Sequence, residues 1–396
     1  MEKILKISSA IANRVCRLAA GTALIFICCA SQAQIKIGIS AALTGSVALN
    51  GQSLANGASL AEGEINAAGG ISGKQIKLVV LDDKGSPNES QAVFDRLINQ
   101  EKVLLIIGPT ISPQAEQAWV FANSQKVVAI GTSITTSGLT KGGPFLFRVT
   151  ATEDLMTPAS VKAAAAVYKS KTVGAIFQDD DNFAYGAFLG ALRGFAKEGM
   201  KVIARETITA KDKDFEPKLA RIKAAQPDIL YISTRANDAI EIIIMARKIG
   251  MNMPIIGNNN FVSQTIYDKA KQAAENIVFT LSWSSFSEDP KNVAFMAAYR
   301  NKFKVEANSF AALAYDAVYV VAEAVKKTAL TNNLAADRIA FRDALAEVSY
   351  SGAAGKVRFK RVEGGYGFDA ERDVFTHIYR NGKLELYKAG FWSLLF

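Results

Sequence analysis

The sequence predicts an α/β protein built of two doubly wound parallel-sheet lobes. Residues Ile35 to Pro87 read as strand, polar turn, amphipathic helix and second strand, a unit that sets two strands parallel with a right-handed crossover. Strands and helices keep alternating along the chain, which indicates parallel sheets covered on both faces. The coarse pattern occurs twice, before and after about residue 150, so two similar lobes are expected.

The elements follow in order. Lys3, Lys6, Arg14 and Arg17 make a positive start, Leu18 to Ala30 is uncharged and mostly apolar, and Ser31-Gln32-Ala33 offers small residues to a signal peptidase. That run is shorter than the about 20 residues a membrane-spanning helix needs. A secretory signal over 1–33, cleaved after Ala33, is expected. A lipidated cysteine is the competing reading, but Cys28 follows bulky Ile27 and Cys29 follows Cys28. Ile35, Ile37 and Ile39 alternate as a strand requires. Leu54, Ala58, Ala61 and Ile65 recur at helical spacing, and Gly69-Gly70 stops that helix. A second strand ends at the pair Asp82-Asp83. Helices are expected over 90–100, 114–124, 155–168, 184–198, 215–225, 236–249, 292–303, 310–327 and 335–348. Strands are expected over 103–107, 127–130, 172–177, 201–207, 229–233, 254–256 and 277–281. The apolar segment 145–149 suits a crossing to a second lobe, and short strands near 357–359, 374–380 and 384–388 close the chain.

Composition removes several function classes. Cys16, Cys28 and Cys29 all lie in the leader, so the mature chain has no disulfide, thiol nucleophile or cysteine metal site. Loss of Lys3, Lys6, Arg14, Arg17 and Glu2 lowers the formal charge of +9 by three. The remaining basic excess is spread along the chain and reads as solvated surface, not as a nucleic-acid site. His377 is the single histidine, so an H-E-x-x-H metal site is impossible. No G-x-S-x-G, G-x-G-x-x-G or P-loop pattern occurs. Asp179-Asp180-Asp181 follows an expected strand and reads as a polar loop before it reads as a cation site.

Hydroxyls crowd the strand ends instead. Thr44, then Thr110 and Ser112, then Thr132, Ser133, Thr135, Thr136 and Ser137 follow three neighbouring strands, where open α/β sheets bind ligands. Such donors suit a carboxylate, and they equally serve as helix caps and turn formers.

Several motifs in order resemble the periplasmic substrate-binding proteins of ABC transporters, in the leucine/isoleucine/valine-binding group of the type I periplasmic binding fold. They are IKIGISAALTG, INAAGGISGKQIKLVVLDD, IIGPTISPQA, VVAIGTSITTSGLT, DDNFAYG, PDILYIST and AYDAVYVVAEA, spread over most of the chain. The resemblance implies a first lobe of 34–150 plus 281–358, a second of 151–280 plus 359–396, and three connecting strands. It implies hinged capture of a small amino acid or organic acid between the lobes, and delivery to a membrane ABC permease from the periplasm. No chemistry is implied, no cofactor and no metal, and a monomer is expected. By the same resemblance Ser112, Ser133 and Thr135 hold the ligand's carboxylate, and Tyr185, with Phe183 beside it as the alternative, contributes from the second lobe. Three positions depart from the family pattern. Asn259 stands where an acidic residue meets the α-amino group, Arg235 replaces a tyrosine, and Asn50 replaces an aromatic residue.

Loss of a carboxylate facing an ammonium removes a hydrogen bond worth ~1.5–3 kcal/mol. Arg235 favours a second carboxylate or an aromatic ring. An aromatic or dicarboxylic acid without an α-amino group is therefore an alternative ligand to a branched-chain amino acid. In the other arrangement Arg235 points to solvent and Asp179, Asp180 or Asp181 faces the ammonium. A ligand sensor and an exported carboxylate enzyme are the competing function classes. The apolar end 391–396 is read as a strand or tail packed on the second lobe.

Overall fold

A computed structural model describes residues 34–262, 266, 269–331 and 333–388. The expected signal over 1–33 and the apolar end 391–396 lie outside them. No helix among the described residues is long and apolar enough to cross a membrane.

The first sheet forms as the opening unit requires. Strands β1 (Ile35–Ala41) and β2 (Ile76–Asp82) pair parallel in the register Ile35 to Ile76, joined by helix α1 (Ala48–Ala67). Leu54, Ala58, Ala61 and Ile65 all face the core from that helix. Its end is turned by Gly69 at φ 96° and Gly70 at φ 78°, conformations that cost glycine least. Helix α2 (Pro87–Asn99), β3 (Leu105–Ile107), α3 (Ser112–Ser124), β4 (Val128–Gly131) and β5 (Leu146–Arg148) continue the winding. The chain then builds a second sheet from α4 (Glu153–Tyr168), β6 (Thr172–Gln178), α5 (Asn182–Lys197), β7 (Lys201–Ile208), α6 (Glu216–Ala224), β8 (Ile229–Ser233), α7 (Ala236–Lys248), β9 (Ile255–Gly257) and β10 (Ile277–Leu281). It returns to the first lobe through α8 (Pro290–Phe303), α9 (Ser309–Lys326), α10 (Leu334–Ala346) and strands β11 (Ser349–Gly352), β12 (Gly355–Arg361) and β13 (Phe368–Arg372). Strands β14 (Phe375–Arg380) and β15 (Lys383–Leu386) finish in the second.

The sheet orders are β11-β12-β13-β5-β4-β3-β1-β2 and β15-β14-β10-β9-β8-β6-β7. Each has apolar helices on both faces. Helices α1 and α9 cover one side of the first sheet, and α2 and α3 the other. In the second, α6 and α7 oppose α4 and α5. Central strands such as Ile229–Ser233 are buried throughout and carry no alternation, as parallel strands covered on both faces do. Helices α1 and α9 approach so closely that a Cβ on Gly57 would lie 2.1 Å from the Ala311 carbonyl oxygen.

The sheets are parallel at their centres and antiparallel at their margins, where β11–β12–β13 and β14–β15 are meanders. Strands β12 and β13 hydrogen-bond within the first sheet, so the chain re-enters the second lobe after Arg372, and not after residue 358 as expected. The strand FDAER escaped sequence reading because its charges mask an inward pair, Phe368 and Ala370. The three connections are tied together. Thr150 Oγ1 lies 3.0 Å from Ser282 Oγ, which also accepts from the Ala151 amide at 2.9 Å. Arg372 donates to the carbonyl of Val149.

Candidate functional site

The loops after β1, β2, β3 and β4 meet at one edge of the first sheet. Asp82 Oδ1 accepts from the amides of Leu43 and Lys84 at 2.8 and 2.9 Å, and its Oδ2 from Thr44 Oγ1 at 2.7 Å. Asp83 is fully buried and takes Ser40 Oγ at 2.7 Å, Gln114 Nε2 at 2.5 Å and the Gly85 amide at 3.1 Å. Burial raises its pKa above the ordinary carboxylate value. The carboxyl pair read from the sequence is thus consumed in shaping loops. Asp83→Ala leaves a hydroxyl, an amide side chain and a backbone amide without their acceptor. It is expected to cost about 2–3 kcal/mol in urea unfolding, and a cost below about 0.5 kcal/mol would contradict this.

Hydroxyls of the first edge divide by role. Thr110 Oγ1 accepts from the Ala42 amide at 2.9 Å. Ser112 is the first residue of α3, and its Oγ accepts from the Thr136 amide at 3.3 Å, joining two loops. That bond leaves its hydroxyl proton to donate. Thr132 Oγ1 and Ser133 Oγ are buried without a hydrogen-bond partner among the described residues. Leaving such a group unmet costs about 1–3 kcal/mol, so it is retained where something else meets it. Arg148, fully buried, braces the loop by donating to the carbonyls of Ile134 and Thr136 at 2.9 and 2.8 Å. Its Nε lies 2.6 Å from Asp369 Oδ1, a close ion contact without hydrogen-bond alignment.

The second sheet presents its own edge. Asp181 Oδ1 caps α5 by accepting from the Ala184 amide at 3.0 Å. Its Oδ2 takes both Nε and Nη2 of Arg235 at 2.7 Å. The Arg235 guanidinium also lies over the Phe183 ring, 4.6 Å from its centroid. Asp180 accepts from Gln178 Nε2 at 2.8 Å and from the Ala210 amide at 3.1 Å. Asn258 Nδ2 donates to Ser233 Oγ at 3.2 Å and to the Thr234 carbonyl at 3.0 Å, locking the ends of β8 and β9 together.

Glu153 stands between the two edges. Its amide donates to the Thr135 carbonyl at 3.0 Å, on the loop that carries Ser133. Its Oε1 accepts from the Asn259 amide at 3.2 Å, and its Oε2 from Thr157 Oγ1 at 3.1 Å. The side chain is buried, and among the described residues no cation pairs with it. Burial pushes its pKa up to about 8, and the two hydrogen bonds do not offset that.

The structure therefore links Ser112 with the 132–136 loop, and Thr135 with Asn259 through Glu153. Tyr185 is 41 % exposed on α5, one turn from Asp181. Asn50 is half-buried in the first turn of α1, its amide on the Val47 carbonyl at 3.0 Å. Arg235 does not project as a bare cation, because Asp181 and Phe183 already engage it. Sequence reading passed over Glu153 and Arg148. An acidic residue in a helix's first turn looks like a response to the helix dipole, and only burial distinguishes Glu153. His377 sits far from catalytic use. Its Nε2 lies 2.9 Å from Ser284 Oγ, its ring stacks on Phe279, and burial lowers its pKa to about 4.

Comparison with known proteins agrees with this geometry. Residues 34–367 match the family described as periplasmic binding protein, and the chain belongs to that family. It is accordingly a binding protein and not an enzyme. It is 28 % identical over 294 residues to the leucine-, isoleucine-, valine-, threonine- and alanine-binding protein of Pseudomonas aeruginosa, covering 74 % of this chain and 78 % of that one. To the Leu/Ile/Val-binding protein of Escherichia coli it is 26 % identical, covering 76 % and 82 %. Among solved structures it resembles the branched-chain amino acid transporter substrate binding protein of Streptococcus pneumoniae in complex with isoleucine. There the TM-score is 0.78 at 31 % identity, over 90 % of this chain and 99 % of that one.

Proposed function

We propose that this family member captures a small aliphatic α-amino acid between its lobes, outside the cytoplasm, and passes it to an ABC permease. The observation that carries the carboxylate half is the buried Ser133 hydroxyl, without a partner among the described residues, on the loop whose Thr136 amide donates to Ser112 Oγ at the amino end of α3. Amides at a helix start and short hydroxyls together favour an anion. Ser112, Ser133 and Thr135 are assigned to the carboxylate, with Tyr185 closing over the ligand from α5. The names of the relatives support an aliphatic side chain.

Arg235 no longer argues for a second ligand carboxylate, since Asp181 already balances its charge. Amine-free aromatic and dicarboxylic acids serve as controls. Protein unfolded and refolded to strip solute, then screened by thermal shift, is expected to respond to leucine, isoleucine or valine. A ligand at a hundred times its Kd adds ~2.7 kcal/mol of stability. Ser133→Ala is expected to weaken binding roughly tenfold, the worth of one hydrogen bond to a charged group. Response only to benzoate or dicarboxylates would overturn the amino-acid assignment, and no response to any of them would overturn solute capture.

A further inference from the structure

The family pattern leaves the ligand's ammonium without an acid, because residue 259 is asparagine. The fold sets another acid against the backbone of that residue. Glu153 Oε1 accepts the Asn259 backbone amide itself, and the Glu153 amide is bound to the loop that carries Ser133 and Thr135. A carboxylate so placed lies between the proposed carboxylate seat and the position the family uses for the ammonium.

Among the described residues no cation pairs with it. The charge of Arg235 reaches it, but that guanidinium is held by Asp181 and Phe183. Asp154, next in the chain, is itself paired with Arg193 at 3.2 Å and bonded to Ser137 Oγ at 2.5 Å. The buried hydroxyl of Tyr231 on β8 is within reach of its charge, and Thr157 and the Asn259 amide are neutral donors. A fully buried acid with two neutral donors and no cation is held as the protonated form.

We propose that Glu153 is the anionic half of the ammonium site, and that an arriving ammonium expels the proton Glu153 carries in the empty protein. This rests on the amino-acid reading above and narrows it, since ligands with a free α-ammonium are required. The step balances simply: the Glu153 O–H bond breaks, its proton passes to buffer, and the carboxylate pairs with the ligand's intact NH3+ group. Neutral pH lies below the value of about 8 that burial imposes on Glu153. Affinity therefore rises with pH by nearly tenfold per unit up to that value, then levels off.

The test is calorimetric titration of stripped wild-type protein with L-leucine, L-isoleucine and L-valine at pH 7, in phosphate and in Tris. The amine-free 4-methylpentanoate is the control. Close to one proton released per ligand is expected, seen as a buffer-dependent enthalpy, with Kd falling between pH 6 and pH 7.5. Glu153→Gln is expected to lose roughly ten- to a hundredfold in amino-acid affinity, to abolish the buffer dependence and to leave 4-methylpentanoate binding unchanged. Glu153→Asp should retain the pH profile. Amino-acid binding with equal enthalpy in both buffers, measured on the wild type alone, would overturn the inference, whatever the fate of the variants. Binding of 4-methylpentanoate but of no amino acid would overturn it while leaving solute capture standing. Binding of none of the four would overturn the solute reading and this inference with it.

Discussion

Arg148→Met is expected to cost about 3–5 kcal/mol of stability and at least tenfold in ligand affinity. The guanidinium is wholly buried, and removing it strands the carbonyls of Ile134 and Thr136 and uncovers Asp369. A buried group left without its partner carries the full penalty of lost solvation, which is why breaking such a pair costs more than the pair itself contributes. The affinity loss has a separate origin. Ser133 and Thr135 lie on the loop that Arg148 holds to β5, and a loosened loop must be ordered again by each ligand. Urea unfolding reads the first effect and calorimetry the second. Asp369→Asn should cost less, because Asp369 reaches solvent and Thr140 still bonds to the amide. Equal stability of Arg148→Met and wild type would contradict the bracing role.

Glu153→Gln is expected to stabilise the empty protein at pH 8 by about 2 kcal/mol or more while weakening its function. The sign follows from linkage. The folded-state value of about 8 lies above the unfolded value of 4.5, so the folded protein binds the extra proton. The stabilisation it brings is complete below pH 4.5 and is lost as pH rises through about 8. Glutamine keeps the shape and can accept from Asn259 without titrating. His377 acts oppositely, since burial holds it near 4 against 6.5 when unfolded, so its contribution is lost as pH falls from 6.5 to 4. Asp316, held up to about 6, has the sign of Glu153. The difference between wild type and Glu153→Gln cancels both. That difference should grow steadily from pH 5 to pH 8, and a flat difference would contradict a protonated buried Glu153.

Much of the architecture is legible in the chain because periodicity reports burial directly. Ile35, Ile37 and Ile39, or Leu54, Ala58, Ala61 and Ile65, name both their element and its inner face. Charged strands are harder, and FDAER, between β12 and β5, shows only two inward side chains. At the site, the sequence shows residue types and not their pairings. Arg235 reads as a ligand anchor until Asp181 and Phe183 are found on either side of it. Glu153 reads as an ordinary first-turn acid until it is found buried against Asn259, far along the chain. Both depend on contacts between distant segments, which single-chain patterns do not encode.

The most direct test is a crystal structure of the stripped protein soaked or grown with L-isoleucine. The ligand carboxylate is expected within hydrogen-bond reach of Ser112, Ser133 and Thr135, and the ammonium on Glu153. Density with the amine on the 132–136 loop, or a cleft that stays empty at saturating isoleucine, would contradict it.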